Sequence, residues 1–80
     1  MVRYVNAEEL AEMTGLSVNS INQYKDGWRF AKFRKGHLLR FDNEFIDVFL
    51  DFLWLRRNDK AIKRFKRYLT PSMYGNTNTF

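Results

Sequence analysis

Four uncharged polar residues, Asn19, Ser20, Asn22 and Gln23, crowd the run VNSINQYK. Asparagine and glutamine amides present a donor beside an acceptor, the pattern that matches the N6 and N7 edge of adenine in the major groove. Downstream lie Lys25, Lys32, Arg34, Lys35 and Arg40, with His37 at the centre of the last cluster. Cations of this kind complement phosphate. A third group, Lys60, Lys63, Arg64 and Arg67, recurs at helical spacing near the C-terminus, in company with Arg56, Arg57 and Lys66. It can serve as a solvated face, a second phosphate-binding surface or an amphipathic membrane contact, and phosphate binding ranks first because an amide-rich segment precedes it.

Other chemistries find little to work with. Glu44, Asp47 and Asp51 fall at helical spacing and could in principle hold Mg²⁺, but an acidic stripe opposite a core face is far more often plain surface. One histidine, no cysteine and no glycine-rich phosphate loop leave no nucleophile–base pair to name. The expectation is a protein without catalytic activity, cofactor or metal.

The 80 residues suit one small domain, and 45% hydrophobic with 18% aromatic content is too apolar for disorder. Apolar runs are short and no signal-peptide pattern is visible, so a cytoplasmic protein without a membrane partner is expected. The net charge of +5 is distributed in blocks. Residues 32–40 hold four basic side chains and no acidic one, 41–55 hold four acidic and no basic, and 56–69 hold seven basic and one acidic. Such segregation attracts a polyanion more than it serves solubility.

The elements that position these groups follow from caps and spacing. Asn6 and Glu9 form a capping-box pattern, Val5 can staple onto Leu10, and Leu10, Ala11 and Met13 line a short helix. Gly15 supplies the stop, Ser17 a second N-cap, and the next helix runs from Val18 to Lys25 with Ile21 and Tyr24 inward. From Trp28 to Phe41 the pattern predicts short extended segments, with Gly36 at a hairpin turn. Asp42 or Asn43 caps a helix through Phe45 to Leu55. Residues 56–59 either interrupt it or lie on its exposed face, and Ile62, Phe65 and Leu69 resume at helical spacing. Leu55, Ile62 and Leu69 are also seven apart, which with Phe65 makes them candidates for self-association.

These residues carry a resemblance. Tyr4-Val5, Ala7 to Ala11, Gly15-Leu16-Ser17, Ile21, Tyr24, Phe33-Arg34-Lys35-Gly36, Arg40-Phe41 and Phe45 to Leu50 resemble the winged helix-turn-helix of the excisionase and MerR-type family over residues 4–50. The resemblance implies a mostly α fold with a short β-hairpin wing and additional C-terminal helix or helices. It also implies duplex DNA as partner, with Ser17, Asn19, Ser20, Asn22 and Gln23 in the major groove and Arg34, Lys35 and His37 on backbone or minor groove. The family often has a basic residue in place of Val18, an aromatic at Asn22 and an arginine at Gln23. This second helix is therefore less cationic, shifting electrostatic work to the wing and the C-terminal segment.

The domain organisation expected is a winged helix-turn-helix over 1–55, a basic C-terminal helix over 56–70 packed on or extending it, and a flexible tail over 71–80. An excisionase-like architectural factor that recruits a recombinase, a transcriptional regulator that dimerises, and a phage or plasmid assembly adaptor using the Phe52 to Leu55 cluster all fit this organisation.

Overall fold

In a computed structural model, described for residues 3–69, the elements run β1 (Arg3–Val5), α1 (Ala7–Thr14), α2 (Val18–Lys25), α3 (Trp28–Ala31), β2 (Arg34–Lys35), β3 (Leu38–Phe41), α4 (Asn43–Leu55) and α5 (Asp59–Tyr68). The chain is mostly helical, with one small antiparallel sheet in the order β1-β3-β2. The tail expected over 71–80 lies outside the described residues.

The helix starts obey the capping chemistry. Asn6 accepts the Glu9 amide at 2.8 Å while Glu9 accepts the Asn6 amide at 3.2 Å, completing the capping box. Gly15 ends α1 at φ 76, and its N–H reaches the Ala11 carbonyl at 2.7 Å. Ser17 then caps α2 by accepting from Ser20 N, and Asp42, of the two candidates, caps α4 through Phe45 N at 2.9 Å.

Two elements depart from the extended reading of 28–41. Trp28–Ala31 is one turn of helix, and the hairpin is confined to Arg34–Phe41. Phe30 and Phe33 are three apart, so a helical turn sends both rings into the core, where an extended segment would send them to opposite faces. The hairpin also gains a third strand. Val5, read as a staple, pairs with Leu39 as Arg3 pairs with Phe41, and three residues are too few to show a strand period in the sequence.

Residues 56–59 interrupt the helix. Arg57 takes φ 54, its N–H donates to Trp54 O at 2.9 Å, and Asn58 N donates to Leu53 O at 3.2 Å, closing α4 before Asn58 caps α5. The reversal lays α5 against α1 and α4. One core cluster therefore extends from Val5 to Leu69, and α5 is packed on α1 and α4 as part of it.

This packing corrects the self-association reading for Ile62, Phe65 and Leu69. Ile62, Phe65 and Leu69 are buried inside their own chain, and Leu55, on the far side of the break, is 65% exposed. A heptad seam needs one continuous helix and a free apolar stripe, and neither exists here. Phe65 meets Phe49 edge-on at 5.1 Å and Phe41 at 6.1 Å. Phe65→Ala should cost about 3–5 kcal/mol in urea unfolding, whereas Leu55→Ala should stay within about 0.5 kcal/mol. Equal losses would place α5 outside the core.

Candidate nucleic-acid interface

Helix α2 is oriented by its two inward residues. Ile21 is fully buried, and the half-buried Tyr24 ring sits edge-on to Phe52 at 4.7 Å. Asn19 and Gln23 are thereby exposed together with Val18 and Asp26, and Asn22 is half-buried between them. The face recurs at three- and four-residue steps, as one side of a helix must. Among the described residues, the Asn19, Asn22 and Gln23 amides have no hydrogen-bond partner. Ser17 and Ser20 differ, because their hydroxyls bond each other at 3.0 Å and Ser17 is already the cap.

The hairpin is held at the C-terminal end of α2. Its turn places Gly36 at φ 60 and His37 between paired Lys35 and Leu38, the glycine-first order of a type II′ turn. Arg34 reaches Asp26 at 2.9 Å, and Lys25 donates from Nζ to the His37 carbonyl at 3.4 Å. Lys25 is only 8% exposed. This corrects its placement among the contact residues: its stem is buried and its amine is turned to the hairpin backbone, so it positions the tip and does not face solvent.

The hairpin's cations are largely engaged. Lys32 pairs with Glu44 at 2.6 Å, Arg40 with Asp42 and with Glu44 at 3.3 Å, and Arg34 with Asp26. Lys35 lies over the Tyr4 ring at 5.8 Å without an acidic partner among the described residues, and His37 is exposed beside it. Exposed pairs are worth about 0–1 kcal/mol, so Lys32 and Arg34 can exchange carboxylate for phosphate at little cost, whereas Arg40 is half-buried with its Nε shielded from solvent and stays with Asp42. Glu44 and Asp51, the latter paired with Arg29 at 3.0 Å, are occupied by these partners, and no metal-holding acidic or histidine cluster occurs among the described residues.

At the opposite end of α2, α5 meets the turn after α1. Arg64 donates from Nε to the Glu12 carbonyl at 2.9 Å, and a β-carbon at Gly15 would lie 3.1 Å from Arg64 Cδ. Gly15 is thus favoured by its positive φ, and a side chain there would also press on Arg64. Lys60, Lys63, Lys66 and Arg67 are exposed and have no ion-pair partner among the described residues.

Two residues of this surface were not singled out by sequence. Trp28 is 85% exposed, and Arg56 lies over the Tyr24 and Phe52 rings at 5.3 and 4.5 Å. Reading Trp28 into an extended apolar segment hid it, and Arg56 was one charge in a basic block. A scan against protein-family models, a search of curated proteins and a search of solved structures each found no match. No described helix is long and apolar enough to cross a membrane.

Lys25→Met keeps the buried stem and removes the amine. It should leave global stability within about 1 kcal/mol, the worth of one hydrogen bond, and speed amide exchange in the hairpin. Unchanged exchange over 34–41 would show that Lys25 does not hold the tip.

Proposed function

We propose that this protein is a winged helix-turn-helix that binds duplex DNA with sequence preference. α2 is the recognition helix in the major groove, and the Arg34–Phe41 hairpin is the wing on adjacent backbone or minor groove. The observation that carries the reading is the amide face of α2, unpartnered among the described residues and bracketed by the hairpin at one end and by Arg64 at the other. Amides without internal partners are available to base edges, and cations at both ends match the phosphates that border a groove. Arg64 and Arg67, with Lys60 and Lys63, extend the phosphate contacts along α5.

The role that fits is architectural or regulatory: an excisionase-like factor that recruits a recombinase, or a compact transcriptional regulator. A second reading, a DNA-holding assembly adaptor, draws on Trp54 at 67% and Leu55 at 65% exposure, neighbouring apolar side chains at the end of α4. Selection of bound sequences from a random duplex pool separates the architectural from the regulatory role. An enriched motif in direct repeats supports the excisionase-like role, inverted half-sites support a dimeric regulator, and binding without a motif supports a purely architectural role. Absence of duplex binding overturns the proposal.

Asn19→Ala and Gln23→Ala should each reduce discrimination between enriched and scrambled duplex by about 1–3 kcal/mol, the worth of a bidentate base contact. Parental discrimination in both would remove α2 from the groove. Lys63→Gln with Arg67→Gln should weaken binding to every sequence and make the salt dependence shallower by about 0.9 per lost phosphate contact. An unchanged slope would leave α5 as a solvated face.

A further inference from the structure

Between α2, α3 and α4 runs a groove of about 310 Å³, lined by Gln23, Tyr24, Trp28, Phe30, Phe52 and Arg56 among others. Its floor and rim differ in kind. Phe30 and Phe52 are packed edge to face at 5.2 Å, while the other lining residues include Trp28, 85% exposed, and the exposed Arg56. The Arg56 guanidinium lies 4.5 Å from the centre of the Phe52 ring and 5.3 Å from that of Tyr24, and among the described residues its side chain has neither a hydrogen-bond nor an ion-pair partner. A guanidinium held beside aromatic rings by cation–π attraction loses less freedom on binding, and an exposed one without a partner keeps its donors available. The neighbouring arginine differs, because Arg29 is neutralised by Asp51.

Gln23 belongs both to this groove and to the outward face of α2. With Gln23 at a base edge as proposed above, the groove lies next to the strand that borders those base pairs. We propose that this groove is a clamp for one sugar–phosphate unit of the duplex backbone: Arg56 binds the phosphate through its paired N–H groups, and the Trp28 ring covers the apolar face of the sugar. An anionic, partly apolar ligand is the complement of a cation fixed beside an exposed indole. The inference rests on duplex binding by α2, and it adds a fixed contact to the wing and α5 contacts.

The test uses the full chain carrying Trp54→Phe, which leaves Trp28 as its single tryptophan. A labelled mixed-sequence duplex and the enriched sequence are the probes. Trp28 emission should change saturably with the same midpoint as the anisotropy of the labelled duplex. Arg56→Gln should weaken binding to both probes by about tenfold, as expected for a charge-assisted hydrogen bond, and lower the salt slope by about 0.9. Arg56→Lys should restore the slope and only part of the affinity. Thermal unfolding of each variant separates loss of fold from loss of contact, and a purely structural role would leave the slope unmoved.

Parental affinity and slope in Arg56→Gln and Trp28→Ala, with Trp28 emission insensitive to duplex, overturn the clamp. If those variants instead dissociate a self-associated parent without changing DNA binding, the groove holds a second copy and the clamp is equally overturned. Loss of the clamp with discrimination by Gln23 intact leaves the DNA-reading proposal standing, whereas a parent that binds no duplex removes both.

Discussion

The fold depends on a column of rings along α4. Phe45 and Phe49 are stacked at 5.6 Å with an 11° interplanar angle, and Phe52 continues the column at 6.4 Å. Four other segments dock on it: Phe30 from α3 against all three rings, Phe33 ahead of the hairpin against Phe45, Tyr24 from α2 against Phe52, and Phe65 from α5 against Phe49. Aromatic rings bury large areas with few rotatable bonds, so an 80-residue chain obtains both burial and fixed angles from a short helix. The direction of the α2 amide face is a consequence, because Tyr24 is one of the docked rings.

Charge is organised by the same helix. The acidic block at 41–55 lies beside the basic block at 32–40, and most of the hairpin's cations find carboxylates at the start of α4 or at Asp26. Counting charge by sequence block treats the hairpin as a strong positive feature, but folding brings opposite blocks together and cancels much of that field. The cations without acidic partners among the described residues include Lys35, Arg56, Arg57 and the exposed face of α5. For any polyanion, long-range attraction then centres on α5, and the hairpin acts at short range by exchanging partners.

Local chemistry was legible in the sequence wherever a cap or stop had its own residue type. Asn6 with Glu9, Gly15, Ser17 and Gly36 each fixed a boundary that packing left in place. Three features were hidden because their cause lies far along the chain. Phe30 is helical because α4 offers it three rings, β1 exists because Leu39 and Phe41 lie beside it, and Lys25 turns inward because the hairpin carbonyl at His37 comes within reach. The same distance effect reassigns Ile62, Phe65 and Leu69 from an interface to the core. Spacing shows that such residues share a face, and only the topology shows what that face meets.

The break at Arg57 links the core to the surface. A non-glycine residue at φ 54 costs about 1–2 kcal/mol, and no glycine stands there to remove that cost. The return is the reversal that buries Ile62, Phe65 and Leu69, a gain of about 1.5–3 kcal/mol for each large side chain before ordering entropy. A straight continuation of α4 would expose all three and carry the basic residues away from α1. Turned back, α5 presses its apolar side on α1 and α4 and brings Arg64 across Gly15, so the contact that completes the core also sets a cation beside the start of α2. Stability and the placement of charge therefore have a common origin in one turn of backbone.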